Sequence, residues 1–504
     1  MTQESDIDLS GQIIREGEQP FQDGRIGIID IGSNSIRMVV YDQQKRAPVP
    51  IYNEKVMCAL GKGLANTGVL NPEGVELAKG ALRRFNALGR NMDISSLYVM
   101  ATAAVRDASD GAAFARYLED TYEISVDIIS GKKEARLGAY GVCASMYKPQ
   151  GITGDLGGGS LELVKVEDGQ ALDHASLPLG SLRMIDESKG DRDKLRKLIE
   201  KRFNEMDWLG DKKTANFYAI GGTFRALAKM HMAKINYPLR ILHEYKAEAK
   251  NFLGFVRDIA GMSLDKLEKL PGSAPKRVPA LPGAAIVLDH IITRAKPENV
   301  IISASGIREG YLYEKLAPHI RNYDGLIASC TEFATKGGRS TVYANELYTW
   351  MFPLVAEESD KERRLRLAFC LLADIAQHIH PEYRAEWAYH RMLYSALTNL
   401  THRERVKLAL ALYHRYQFRR QDNLLALPLL KAKDREWAQL IGTAANLAYH
   451  LSGSITGNLH KTSFIIEKNT VSLQLTGNMQ DLVGEAVKRR IDGVRQAYAD
   501  YVKR

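Results

Sequence analysis

One short pattern occurs twice in this chain, and it restricts the fold more than any other feature. Residues 25–42 read RIGIIDIGSNSIRMVVYD and residues 151–167 read GITGDLGGGSLELVKVE. The two superpose without a gap, placing Asp30 on Asp155, Gly32 on Gly157, Ser35 on Ser160 and Val39 on Val164. Each copy is a β-branched run, a polar glycine-rich turn and a second β-branched run, which predicts strand, tight turn, strand. Self-similarity of this kind marks a duplicated structural unit.

The turns carry chemistry as well as shape. Glycine permits the backbone angles that aim successive amides into one concavity, and it leaves no side chain in the way. The hydroxyls of Ser33, Ser35 and Ser160 add donors. Asp30 and Asp155 end the first strand of each copy, where a hydrated Mg²⁺ can be held. Either turn alone reads as an ordinary polar hairpin. As a pair in one register, with Gly157, Gly158 and Gly159 in the second, they predict a grip on phosphate from two sides.

Strands and helices alternate around both copies, which argues for an α/β layered architecture. The spacing predicts helices over 72–88, 110–121 and 132–146, a strand SLYVMATAAV at 96–105 and a strand ISVDIIS at 124–130. After the second copy it predicts a helix over 191–206 and a strand–turn–helix FYAIGGTFRALAKM at 217–230. An apolar helix AAIVLDHII, a strand NVIISAS and a helix IREGYLYEKL follow. From about His319 glycine thins out, and Leu, Ala and Arg recur at helical spacing in RRLRLAFCLLADIAQHI and RERVKLALALYHRYQ. The strand pair KTSFIIEKN and TVSLQLTG comes near the end. The expected division is a flexible segment 1–24, α/β domains at 25–148 and 149–319, a helical domain at 320–433 and a small α/β domain at 434–504.

Composition excludes several classes. Cys58, Cys143, Cys330 and Cys370 are scattered, with no CxxC pair or accompanying His cluster, so they predict buried thiols in a reducing compartment. The first two dozen residues lack an apolar run, and no stretch of about eighteen apolar residues occurs. A cytoplasmic protein without membrane partners is the expectation. The net charge of +9 favours polyanionic partners without specifying which. No dedicated nucleic-acid motif is present, and the amphipathic helices after residue 320 suggest a homodimer.

The segments IDIGSNSIRMVVYD, ATAAVRDASD, IISGKKEARLGAYG, GDLGGGSLELV and AIGGTFRALA resemble, in order and spacing, the exopolyphosphatase and guanosine pentaphosphate phosphatase family. The resemblance covers residues 25–318 and implies a duplicated actin-like, ribonuclease H-like ATPase fold. It implies that Glu134 is the general base activating the attacking water, a role that suits phosphoanhydride hydrolysis. On residue type alone Glu134 reads as a solvated helix residue amid Lys132, Lys133 and Arg136. Asp155 and Glu162 match the positions that bind or orient the divalent ion and water, which with Asp30 from the first turn makes the expected metal set. Thr102 and Arg106 match phosphate contacts, although Arg106 also reads as an ion-pair partner of Asp107 or Asp110. Asn34 and Ser35 match the first phosphate turn, and Gly157, Gly158, Gly159 and Ser160 the second. Gly221, Gly222 and Thr223 fall where nucleotide-binding relatives place the adenosine loop; here a structural role or a contact with a distal part of the substrate is expected. The family has an acid before the glutamate where this chain has Lys133, which predicts a more cationic site.

The helical region resembles, more weakly, a degenerate HD metal-phosphohydrolase domain. Its His-Asp pair is replaced by Ala373-Asp374, so His378, His380, His390, His402 and His414 read as scattered surface or core histidines. Arg363, Arg364, Arg366, Arg403, Arg405, Arg415, Arg419 and Arg420 read either as a solvated face or as a basic groove for a polyphosphate tail. The functional expectation is a processive, Mg²⁺-dependent exopolyphosphatase, with Mn²⁺ as a substitute and a monovalent cation such as K⁺ as a further cofactor. The rivals are a guanosine pentaphosphate phosphohydrolase and a non-catalytic regulator that binds alarmones. A sugar-kinase-like transferase lacks a second acid aimed at an acceptor.

Overall fold

The first repeated pattern sits at the centre of a sheet because its apolar residues are buried on both faces. In the computed structural model, which describes residues 24–206, 208–210, 214–338, 340–417, 423–468 and 470–503, strands β1 (Arg25–Ile31) and β2 (Ser35–Tyr41) pair antiparallel. Ile26 and Ile28 face one core with Val39 and Tyr41, while Ile29 and Ile31 face another with Ile36, Met38 and Val40. A strand covered on both sides reads as a nearly continuous apolar run. The N-terminal segment expected to be flexible, and Arg419 and Arg420, lie outside the described residues.

The chain divides between Asn322 and Tyr323 into two compact units. The first holds two sheets. Strand β3 (Pro50–Met57) extends the first sheet, and β4 (Ile94–Ala101) and β5 (Val126–Ile128) complete the order β3-β2-β1-β4-β5. The second sheet contains β6 (Gly151–Leu156), β7 (Leu161–Glu167), β8 (Gln170–Leu177), β9 (Asn216–Ile220), β10 (Lys246–Glu248) and β11 (Asn299–Ile302) in the order β10-β11-β9-β6-β7-β8. Within each sheet three antiparallel strands are followed by parallel ones, and β10 is an added edge. The duplication therefore extends from the turns to whole sheets, the architecture of the actin-like fold. Sequence spacing missed the edge strands β3, β8 and β10, whose exposed residues break the apolar run. The predicted strand at 96–105 stops at Ala101. Residues Ala103–Asp107 turn into a short helix, since Thr102 leaves the ladder and its carbonyl accepts from the Arg106 amide at 3.0 Å.

Two helices exchange partners between the sheets. Helix Gly131–Ser145 follows the first sheet in sequence but packs on the second, where Val142 meets Tyr218, Ile220 and Ile301. Helix Ile307–Lys315 follows the second sheet and packs on the first, with Tyr311 and Leu312 against Ile26, Ile28 and Met100. The two helices cross backbone to backbone at glycines. A Cβ on Gly310 would lie 1.8 Å from the Leu137 carbonyl oxygen, and one on Gly141 would lie 2.2 Å from that of Gly306.

The second unit is helical. Helix Ala432–Ser452 packs on His402–Tyr416, burying Trp437, Leu440, Ile441 and Ala444. Strands β12 (Thr462–Glu467) and β13 (Thr470–Leu475) form a hairpin whose Phe464 stacks on Trp350 at 4.3 Å. Of the two readings of these arginines, a solvated face or a basic groove, the structure bears out neither for most of them. Arg364, Arg366, Arg405 and Arg415 are buried, with Arg366 paired to Glu358 at 2.7 Å and Arg415 to Asp374 at 2.8 Å. Arg364 pairs with Asp324, Arg403 with Asp434, and Arg405 donates to the Ser395 carbonyl. These guanidiniums satisfy buried carboxylates and helix ends and so present no free basic surface. His402 and His414 are buried and His378, His380 and His390 exposed; among the described residues no group of three or more His, Cys, Asp and Glu is placed to hold a metal without other ligands.

Gly310→Ala is expected to destabilise the protein by roughly 1–3 kcal/mol, because the atoms facing the new methyl, the Leu137 carbonyl and the Gly141 nitrogen, belong to backbone that cannot rotate away. Gly80→Ala, at an open position in helix Pro72–Asn91, is expected to stabilise by about 0.5–1 kcal/mol. Thermal unfolding of the two variants checks the contrast.

Candidate active site

The two repeated turns face each other across one cleft in the first unit. Both are closed by the same hydrogen bond, Gly32 N–H to the Ser35 carbonyl at 3.1 Å and Gly157 N–H to that of Ser160 at 3.0 Å. The turns touch: a Cβ on Gly158 would lie 2.8 Å from Cβ of Ser33, so the close approach requires glycine there. The cleft has a volume of about 160 Å³. Of the residues singled out from the sequence, Asp30, Ser33, Asn34, Ser35, Thr102, Glu134, Asp155, Gly157, Gly158, Gly159, Ser160, Glu162, Gly221 and Gly222 line it. Thr223 does not; it is buried in the first turn of helix Gly222–Lys234. Arg106 stands behind the lining, donating from Nη1 to Glu134 Oε2 at 2.8 Å and from Nε to Asp107 Oδ1 at 3.3 Å. Lys133 turns away to Asp127 at 2.5 Å and adds no charge to the cleft, contrary to expectation, because the helix aims it opposite to Glu134.

The register of the hairpins makes the cleft electrically asymmetric. In β1–β2 the residue opposite Asp30 is Arg37; in β6–β7 the residue opposite Asp155 is Glu162. One wall therefore gathers acids. Burial pushes the Glu134 carboxyl up to about 7 against the pull of Arg106, and Asp155 up to about 6. Burial, and then the neighbouring Glu134, raises Glu162 well above the usual carboxylate range. Glu134 lies in the first turn of its helix, where the amide dipoles favour its anion. The Asp155 carboxylate has no hydrogen-bond or ion-pair partner among the described residues. Its oxygens lie beside Gly138, Gly221 and Gly306, which offer no side chains.

The cleft also gathers cations that local sequence pattern did not single out. Arg37, Lys55, Arg225, Arg277 and Arg308 all line the cleft. Arg308 binds Asp30 at 3.0 Å and so neutralises the first of the three acids assigned to the metal. Arg225 donates to the Ser303 and Ala304 carbonyls, and Arg277 packs on Gly222 so closely that any side chain there would collide with it. Burial and repulsion from Arg277, Arg37, Arg225 and Arg308 bring the Lys55 ammonium down to about 8. Ser160 Oγ and Arg308 Nε are buried without hydrogen-bond partners. Arg308 and Glu309 occur in the segment IREG and Arg225 in GGTFRALA, where the only sequence signal was a strand end leading into a helix.

A divalent cation fits this site on the evidence of its acids. Asp155 and Glu162 are a buried, cross-strand pair without an ion-pair partner within reach among the described residues, and hard oxygen donors of this kind suit Mg²⁺. The acids do not form a complete cage of three or more ligands by themselves, which is the usual situation where substrate phosphates supply the remaining oxygens.

Comparison with known proteins follows the same division of the chain. The pattern of the exopolyphosphatase C-terminal region matches residues 326–500, within the helical unit. Among curated relatives, retrograde regulation protein 2 of Saccharomyces cerevisiae is 24% identical over 434 residues, covering 77% of this chain and 72% of that protein. Exopolyphosphatase 1 of Mycobacterium bovis is 24% identical over 314 residues, covering 58% of this chain and 88% of that protein. The crystal structure of an exopolyphosphatase from Cytophaga hutchinsonii superposes with a TM-score of 0.52 at 22% identity, over 57% of this chain and 96% of that one. That likeness extends to the fold of the two-sheet unit. The pattern of the Ppx/GppA phosphatases runs from residue 21 to 319, through both sheets and every turn that builds the cleft, and the chain belongs to the Ppx/GppA phosphatase family.

Proposed function

We propose that this phosphoanhydride hydrolase is an exopolyphosphatase, releasing terminal phosphate from inorganic polyphosphate with Glu134 as the general base. The observation that carries the reading is the pairing of two glycine-rich turns with five cations and a set of buried acids in one cleft. Backbone amides and the Ser33, Ser35 and Ser160 hydroxyls are suited to the non-bridging oxygens of the terminal phosphoryl group. Arg37, Lys55, Arg225 and Arg277 offset the charge of the phosphates behind it, Arg by paired donors and Lys as a point charge. Among the described residues no aromatic ring lines the cleft, which favours a bare phosphate chain over the purine of guanosine pentaphosphate.

Phosphoryl transfer asks the protein for positioning and charge stabilisation more than for covalent chemistry. With Oε2 held by Arg106, Glu134 keeps its other oxygen to accept a proton from water placed in line with the terminal phosphorus. Thr102 and the turn amides hold the phosphoryl group while that proton leaves. Asp155 and Glu162 would hold Mg²⁺, which supplies neutralisation of the phosphate oxygens. Mn²⁺ as a substitute, K⁺ as a further cofactor, processive release and a homodimer complete the proposal.

Glu134→Gln is expected to lower kcat for phosphate release from long-chain polyphosphate by about 10²–10⁴-fold with little change in KM, since it removes the base and keeps the shape. Guanosine pentaphosphate assayed alongside discriminates the rivals: turnover of the nucleotide alone would move the protein to alarmone hydrolysis, and turnover of neither would make it a binding protein. Because the base must be ionised and burial raises Glu134 to about 7, kcat/KM is expected to rise with pH through that region. A profile flat between about pH 5.5 and 8 would contradict the assignment. Asp155→Asn and Glu162→Gln are each expected to raise the Mg²⁺ concentration for half-maximal rate by about tenfold or more, measured by titration at fixed substrate.

A further inference from the structure

One ion-pair path outside the cleft crosses from the second sheet's side of the unit to the first. Helix Ser181–Ser188 begins on the second glycine turn: the Ser181 amide donates to the Gly157 carbonyl at 2.9 Å, and those of Leu182 and Arg183 to the Gly158 carbonyl at 2.9 and 3.3 Å. Gly180, just before it, packs so tightly that a Cβ would lie 2.2 Å from the Gly159 carbonyl carbon. This helix therefore moves with the turn.

From the same helix Arg183 Nη2 reaches across to Asp107 Oδ2 at 2.8 Å, and Asp186 Oδ2 accepts from the Gly63 amide at 2.8 Å. Asp107 uses its other oxygen, Oδ1, for Arg106 Nε, and Arg106 holds Glu134. Each carboxylate oxygen of Asp107 thus serves a different arginine. The side chains of Arg183, Arg106 and Glu134 are 19%, 23% and 14% exposed and that of Asp107 is 32% exposed, so solvent screens the chain only in part. Arg183 does not line the cleft that takes the substrate.

We propose that Arg183 and Asp107 are positioning residues, transmitting the placement of the second glycine turn through Arg106 to Glu134. With Arg183 in place, the charge of Asp107 is divided between two guanidiniums, and Arg106 is left to hold the base. Without it, Asp107 draws Arg106 toward itself and Glu134 loses its orientation. A phosphate seated on the turn thereby fixes the base that attacks it. The proposal rests on the reading of Glu134 as base.

The test is steady-state phosphate release from polyphosphate with Mg²⁺ for Arg183→Met, Arg183→Lys, Asp107→Asn and the Arg183→Met/Asp107→Asn double variant, with Glu134→Gln as reference. Arg183→Met and Asp107→Asn are each expected to lower kcat about tenfold while KM stays within about twofold. The double variant is expected to be no worse than the poorer single, since the two act on one chain, and Arg183→Lys to recover part of the loss. Losses that multiply in the double variant, or a raised KM at unchanged kcat, would overturn the proposal; the second result would make Arg183 a substrate contact. Wild-type kcat in both single variants, with Glu134→Gln inactive, removes the relay alone. Full turnover by Glu134→Gln removes the base reading itself.

Discussion

The crossing of helices Gly131–Ser145 and Ile307–Lys315 is the contact on which the cleft depends. Each helix belongs by sequence to one sheet and by packing to the other, so the two sheets cannot separate without uncovering both cores. Gly141 and Gly310 let the backbones touch, a separation that no larger residue allows. The consequence is geometric. The helix on the second sheet begins beside Glu134, and the helix on the first begins at Arg308 and Glu309, with Glu309 receiving the Tyr41 hydroxyl at 2.9 Å. Helix Gly222–Lys234 also starts at the cleft. Three helix N-termini converge there, and their amide dipoles add positive potential where phosphate is expected to sit.

Duplication gave the fold two equivalent hairpins, and one register position made them inequivalent. Arg37 and Glu162 occupy the same place in their hairpins, each directly across from the aspartate. Had both been acids, the cleft would carry too much negative charge to admit a polyphosphate. Had both been arginines, the site assigned to the cation would be filled by guanidinium, as Asp30 is by Arg308. The difference puts both signs of charge in one cleft, as the proposed anionic substrate and divalent cation would require.

This asymmetry was readable in the sequence once the two copies were aligned, because residue 37 falls on residue 162 without a gap. The alignment gave the strands, the turns and the cleft-facing Asp155, which depend on local pattern, while Glu162 came from the family resemblance. Arg225, Arg277 and Arg308 were hidden for the opposite reason. They come from three distant segments, and only the tertiary fold brings them together. The edge strands β3 and β8 were missed because half-exposed strands lack an apolar run. Arg106 shows a third case: the sequence offered a phosphate contact or an ion pair with Asp107, and the fold adds Glu134 as its nearest partner.

The helical unit shows what becomes of charges that a sequence lists but a surface does not display. Its arginines are abundant enough to suggest a groove for a polyanion, yet Arg366 is fully buried on Glu358, which also accepts from the Trp437 indole at 2.7 Å. Asp374 stands where a metal-binding domain of this shape would place its acid, and Arg415 lies on it at 2.8 Å. A guanidinium neutralises a buried carboxylate much as a metal would, with fixed hydrogen-bond geometry and no open coordination position. The substitution of one cation for the other keeps the helices packed while leaving no site at which water can be activated. This agrees with placing the proposed chemistry in the two-sheet unit, where Asp155 has no ion-pair partner among the described residues and only the more distant charges of Arg225 and Arg308 stabilise its anion.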